Sequence, residues 1–224
     1  LKTPVLVFDM DGVLVDVTDS YREAIAQTVE HFTGTRISNE QIQDYKNSGG
    51  WNDDWQLSHY VVQRAGVLTP YEEVKRYFQS IFSGSTGLIM REKWIAQPGR
   101  LEKLNQDFRF ALFTGRPKEE AEFTLKRFAD GLLFDPIVGM YEVQNHKPAP
   151  EGLLQIRQCH TNAAIFYIGD TVDDARSAKA AAVPFIGIAA PRNPRYVDLV
   201  FLFRAQGAYA IVDDINCLEE VFAS

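Results

Sequence analysis

The sequence predicts an α/β protein built on an open parallel sheet, and three observations carry that prediction. Apolar runs of strand length recur along the chain. Most are separated by segments of helical periodicity. Several end in a carboxylate, a hydroxyl or a glycine, as buried parallel strands do where their carboxyl ends open onto ligand-binding loops.

The first strand is VLVF at 5–8, which stops abruptly at DMDG. The next sheet candidate does not come until FALFT at 110–114, too far along for a simple crossover, and the texture between them differs. DSYREAIAQTVEHF, NEQIQDYKN, DDWQLSHYVVQRAG and TPYEEVKRYFQSIF each show helical patterning, with Asp19, Asn39, Asp53 and Thr69 as candidate caps and glycine breaks between them. Residues 17–96 are therefore expected to form a helical insert in an α/β unit made of 1–16 and 97–224. Pro98 and Gly99 mark the return to the sheet. All three tryptophans, Trp51, Trp55 and Trp94, fall in the insert and are expected to pack a small core, with Trp51 alternatively lining a pocket.

Beyond the insert, strands are expected at 110–114, within LLFDPIVG (132–139), and at AIFYIGD (164–170), PFIGIA (184–189) and YAIV (209–212). KEEAEFTLKRF follows a proline and reads as a helix. The segment 194–206 carries the apolar run YVDLVFLF and is expected to cover the sheet, with a homodimer face as the alternative.

Composition bounds the function. The chain has 224 residues, 46% of them hydrophobic, enough for a sizeable core. A formal charge of −7 leaves no basic stripe for nucleic acid. Cys159 and Cys217 are far apart and form no CxxC, which fits a reducing, cytoplasmic setting. No stretch approaches membrane-spanning length, and the first residues show no charged run leading into an apolar segment. The expected state is a monomer or weak homodimer.

The chemistry concentrates at strand ends. Asp9 and Asp11 close the first apolar run, where an unpartnered buried charge would be costly, and Gly12 permits a sharp turn. FTGRP at 113–117 offers the Thr114 hydroxyl, Gly115, Arg116 and a helix start whose N–H groups suit a phosphate. NHKPAPEGL at 145–153 presents Lys147 before a proline-restricted turn. IGDTVDDARSAKAA at 168–181 ends a strand in Asp170 and adds Asp173 and Asp174 at the head of a helix, where Ala175, Ala178 and Ala182 allow close packing. Asp9 and Asp170 form a hard-cation set, and together with a hydroxyl and a lysine they fit phosphoryl chemistry better than hydride or acyl transfer. The absence of GxGxxG after the first strand and of GxxxxGK[ST] lowers dinucleotide and P-loop alternatives.

DMDGV at 9–13, TGR at 114–116, HKPAP at 146–150 and GDTVDD at 169–174, in that order and at strand ends, resemble the four motifs of the haloacid dehalogenase-like hydrolase superfamily. The likeness is to its phosphatase branch, with a Rossmann-like core and a helical C1-type cap as in phosphoglycolate phosphatases. The resemblance implies a magnesium-dependent phosphoric monoester hydrolase whose partner is a small phosphorylated metabolite. Asp9 would attack phosphorus, while Asp11 protonates the leaving oxygen and later activates water. Thr114, the Gly115 backbone and Lys147 would hold the phosphoryl group. Asp170, with Asp9 and the Asp11 carbonyl, would bind Mg2+, supported by Asp174 more than by its polar neighbour Asp173. Lys46, Trp51 and Asn52, flanking the glycine turn NSGGWND, and Arg116 are candidates for substrate selection. An acid at 11 argues against dehalogenation, and that turn lacks the arginine by which related sugar-phosphate mutases hold a second phosphate. Hydrolysis is thus favoured over the phosphomutase alternative. A non-catalytic phospho-ligand or protein-binding module is the alternative of another class.

Overall fold

A computed structural model describes residues 2–223. The chain divides into two compact units, one of Leu1–Val15 and Trp94–Ser224, the other of Asp16–Lys93.

In the first unit, β1 (Val5–Phe8) is followed, after the short β2 (Val15–Asp16) at the unit boundary, by the whole second unit. The second unit contains α1 (Tyr21–Thr33), α2 (Asn39–Ser48), α3 (Asp54–Arg64) and α4 (Tyr71–Phe82). The chain returns through β3 (Lys93–Trp94), which pairs with β2 as a separate two-stranded sheet. Then come α5 (Arg100–Asp107), β4 (Arg109–Phe113), α6 (Lys118–Phe128), β5 (Phe134–Val138), α7 (Glu151–Cys159) and β6 (Ile165–Gly169). The last elements are α8 (Val172–Ala181), β7 (Phe185–Ile188), α9 (Tyr196–Gln206), β8 (Ala210–Val212) and α10 (Leu218–Phe222).

The main sheet runs β5-β4-β1-β6-β7-β8 and is parallel throughout. It is the open α/β architecture that the strand-length runs predict. β1 lies inside it, with Val5 opposite Arg109 on one side and Ile165 on the other. All four of its side chains are fully buried. Each contributes roughly 1.5–3 kcal/mol, which is why this strand tolerates no polar residue until its carboxyl end. At that end the strand order reverses: β4 leads away on one side and β6 on the other, the switch point where such sheets bind ligands.

Helix packing fixes the remaining strands. Ala175, Ala178 and Ala181 of α8 are buried, and their short side chains let the helix lie close to the sheet. Ala182 does not share that role: it is exposed and adopts the left-handed conformation that ends the helix. α9 turns Leu199 and Phe203 into the core, with Phe203 filling the space that a side chain at Gly187 would occupy. It thus covers the sheet with one face and leaves Val197 and Phe201 exposed on the other.

Within the second unit, Tyr21 packs on Phe82 with ring centroids 4.1 Å apart, and Trp55 is buried beneath the Lys75 ammonium. Half-buried Trp51 packs on Tyr60 at 4.5 Å. Trp94 lies in the first unit, stacked on Phe128 at 5.6 Å, because the chain leaves the helical unit at residue 93.

Of the four candidate caps, Asp53 alone caps its helix, accepting from Trp55 N at 2.9 Å and Gln56 N at 3.1 Å. Asn39 sits inside the first turn of α2, and Ser38 instead forms a reciprocal capping box with Gln41 because its extended backbone lets Oγ reach back to the third residue. Pro70 precedes α4 in place of Thr69, and Asp19 pairs with Lys93 at 2.6 Å.

Candidate active site

Asp9 stands one residue beyond β1, buried, with its N–H donating to Ile168 O at 2.8 Å. That bond continues the β1–β6 ladder and fixes where the carboxylate points. The Asp9 Oδ1 accepts from Met10 N at 2.8 Å and pairs with Lys147 Nζ at 3.0 Å. The same ammonium is 2.8 Å from Asp174 Oδ1 and 4.9 Å from the centre of the Phe113 ring. Lys147 therefore bridges two buried carboxylates against an aromatic face.

Asp174 is held from every side. Tyr167 donates its hydroxyl to Oδ1 at 2.7 Å, and Oδ2 accepts from Thr171 N at 3.0 Å and Thr171 Oγ1 at 2.7 Å. Thr171 is the N-cap of α8 and receives Asp174 N in return, a capping box that locks the first turn of the helix. The T-x-x-D spacing of this box is visible in the sequence. The part played by Tyr167 is not, since a tyrosine in an apolar strand carries no mark of which carboxylate its hydroxyl will meet.

The electrostatics follow from burial and pairing. Burial pushes Asp9 up to about 7, against the pull of Lys147 and with repulsion from Asp174 and Asp11 added. Burial would also raise Asp174, but Lys147, Tyr167 and Thr171 outweigh it and hold this carboxyl below its usual range. Burial would lower Lys147, yet Asp174 and Asp9 together raise it, so it remains a cation. Tyr167 is pushed well up by burial and by the neighbouring acids, and serves as a neutral donor.

Asp9, Asp170 and Asp174 each offer a carboxylate oxygen, all within 4.8 Å of one another. An all-oxygen set of three acids suits a hard divalent cation. Gly12 makes the cluster possible: its φ is +72°, and a Cβ there would lie 1.9 Å from Asp170 Oδ2. The Asp11 side chain is not part of this group. It turns to Arg116, with Nε donating to Asp11 Oδ1 at 2.6 Å.

Thr114 follows β4, buried, and its backbone N–H is used by Val138 O at 3.0 Å. Its hydroxyl accepts from Arg116 N at 3.3 Å, and Gly115 lies between them. Arg116 is itself buried and lies in the sheet unit. The loop carrying Lys147 is tied down by Glu151, whose carboxylate accepts from Gln144 N and Asn145 N, both at 2.8 Å. These bonds depress the Glu151 carboxyl, and they show that a glutamate four residues downstream of Lys147 holds its loop. Lys46, Trp51 and Asn52 belong to the helical unit. Lys46 pairs there with Asp54 at 2.5 Å, and Trp51 joins Tyr45 and Tyr60 in an aromatic cluster. Asp173 is buried and 3.5 Å from Arg176.

A parallel sheet whose switch point gathers three carboxylates and a bridging lysine defines an α/β enzyme with a cluster able to coordinate a divalent cation. The chain belongs to the haloacid dehalogenase-like hydrolase family, whose model matches residues 6–188. It is 33% identical over 203 residues to a protein of Phytophthora nicotianae named imidazoleglycerol-phosphate dehydratase, a match covering 84% of this chain and 44% of that one. The chain thus spans less than half the length of that relative. It is 23% identical to the phosphoglycolate phosphatase of Escherichia coli K12, over 94% of this chain and 90% of that protein. Among solved structures it is similar to a haloacid dehalogenase-like protein of Agrobacterium tumefaciens, with a TM-score of 0.74 at 17% identity over 99% of this chain and 98% of the other. Among the described residues, no helix is long and apolar enough to cross a membrane.

Proposed function

We propose that this protein hydrolyses a small phosphate monoester through an aspartyl phosphate on Asp9, with magnesium held by Asp9, Asp170 and the Asp11 carbonyl and supported by Asp174. The observation that carries the reading is Lys147, whose ammonium lies 3.0 Å from Asp9 and 2.8 Å from Asp174 in a buried site. A fixed cation beside a buried carboxylate nucleophile is what an incoming phosphoryl anion requires. When bound, the metal supplies screening between the nucleophile and the phosphate.

Asp9 attacks phosphorus as the ester bond breaks, and Asp11 gives its proton to the departing oxygen. In the second half, Asp11 takes a proton from water as the water oxygen bonds to phosphorus and Asp9 is released. The Thr114 hydroxyl, the Gly115 N–H and Lys147 meet the transferring oxygens. Substrate choice falls to Lys46, Trp51 and Asn52 of the helical unit. Lys46 is already paired with Asp54, which supports hydrolysis over mutase chemistry, since a second phosphate would have to displace Asp54 from it.

The test is turnover of a panel of phosphate monoesters with magnesium and with chelator. The panel includes 2-phosphoglycolate, a hexose phosphate and an imidazole-bearing phosphate ester, the last because of the name of the Phytophthora nicotianae relative. Magnesium-dependent release of phosphate supports the proposal. Absence of release across the panel from folded protein refutes it.

A further inference from the structure

Arg116 is the largest of the fully buried side chains, 1% exposed, and the chemistry above gives it no task. An arginine cannot discard its charge, and replacing a buried ion pair by apolar side chains of similar volume often leaves a protein no less stable. Its guanidinium therefore calls for a specific explanation. Nε donates to Asp11 Oδ1 at 2.6 Å, and Nη2 lies 2.5 Å from the same oxygen. Nη1 donates to Thr124 Oγ1 at 3.1 Å, and Thr124 is fully buried in α6. The backbone is fixed as well, through Arg116 N to Thr114 Oγ1 and Met140 N to Arg116 O at 2.9 Å. Asp11, by contrast, keeps its side chain 30% exposed.

We propose that Arg116 is the positioning residue of Asp11: anchored by Thr124, it grips Oδ1 and leaves Oδ2 as the oxygen that exchanges a proton with the leaving group. This inference rests on the phosphatase reading. Arg116 donates to Oδ1 whether Asp11 is an acid or a carboxylate, so the grip survives both halves of the reaction. In the first half the proton passes from Oδ2 to the ester oxygen while the bond from that oxygen to phosphorus breaks and the Asp9 oxygen–phosphorus bond forms. In the second, Oδ2 recovers a proton from the attacking water as the Asp9–phosphorus bond breaks.

The readout is leaving-group dependence, which a purely structural arginine would not alter. An alkyl phosphate needs its departing oxygen protonated; 4-nitrophenyl phosphate scarcely does. For Arg116→Met, kcat/KM on the alkyl ester is expected to fall about 100-fold and on the aryl ester less than about 10-fold, in keeping with the size of general-acid effects. Arg116→Lys, which can still place one donor on Oδ1, should recover part of the difference. In an Asp11→Asn background, Arg116→Met should add less than about 3-fold on the alkyl ester, since residues acting as a unit are not additive. Thr124→Val is expected to move the ratio of the two esters the same way by a smaller factor, and it carries the test if Arg116→Met does not fold. Equal losses on both esters, or an undiminished loss in the Asp11→Asn background, overturn the role of Arg116 alone. A folded wild-type enzyme that turns over neither of these esters nor any ester of the panel above overturns the phosphatase reading, and this role with it.

Discussion

Gly12 and Asp170 stand so close that a single methyl group at residue 12 would lie 1.9 Å from the Asp170 carboxylate oxygen. The backbone of the first strand's turn and the acid at the end of β6 thus share one small space. Gly12→Ala must relieve the clash by moving Asp170, and it must also hold alanine at a φ of +72°, which costs roughly 1–2 kcal/mol. Turnover is expected to fall about 100-fold or more, as small displacements of reacting groups do. The rise in melting temperature on adding magnesium should shrink with it. Kinetics and thermal unfolding with and without magnesium check both.

Asp9→Asn is expected to abolish turnover and yet to stabilise the metal-free protein at pH 8. Burial lifts Asp9 from 3.8 to about 7, so the folded protein disfavours its charged form. Because the folded-state value lies above the unfolded one, protonated Asp9 favours folding fully below about pH 4, and that contribution is lost as pH rises through about 7. Asparagine cannot ionise and escapes the loss. Thermal melts of metal-free wild type and variant between pH 5 and 8 should diverge with rising pH, and a parallel pair of curves would refute the account.

Lys147→Met leaves Asp9 and Asp174 buried with no cation between them. Breaking a buried pair from one side typically costs about 3–5 kcal/mol, so the variant should be markedly less stable at pH 8. Lower pH, which neutralises the acids, should restore much of the difference. Denaturant unfolding at pH 8 and pH 5.5 tests this, and the variant should show no turnover at either.

Tyr167→Phe removes one hydroxyl and keeps the ring that packs against Phe113. Asp174 then loses its 2.7 Å donor on Oδ1 but keeps Thr171 and Lys147. A hydrogen bond to a charged group contributes about 1.5–3 kcal/mol, and a loss of that size is expected in chemical denaturation. Turnover should drop through kcat with KM little changed, because the hydroxyl steadies Lys147 by way of Asp174.

The legibility of the site was uneven. Lys147 and Asp174 stand out through the motifs around them, whereas Asp9, Thr114 and Asp170 stand out because charged and hydroxylated residues at the ends of apolar runs need a reason to be there. The sheet was legible for the same reason, since a strand buried on both faces is written as an unbroken apolar run. Caps were harder: Asn39 and Ser38 are neighbours of similar propensity, and only the backbone angles of Ser38 decide between them. The sequence does not mark Glu151 as the clamp of the lysine loop, because an acid at the start of a helix already has a sufficient local explanation in the helix dipole.

By itself the sequence determined the parallel α/β sheet, the helical segment between its first two strands, and the residue types gathered at the strand ends, for these depend on local hydrophobic patterning. The tertiary structure decided the pairings. Whether Asp11 joins the carboxylate cluster or turns to Arg116, and whether Asp174 meets Tyr167, depends on side chains brought together across as many as 105 positions of chain. Hydrogen bonds act over about 3 Å, and the folded backbone alone sets which donors come within that reach.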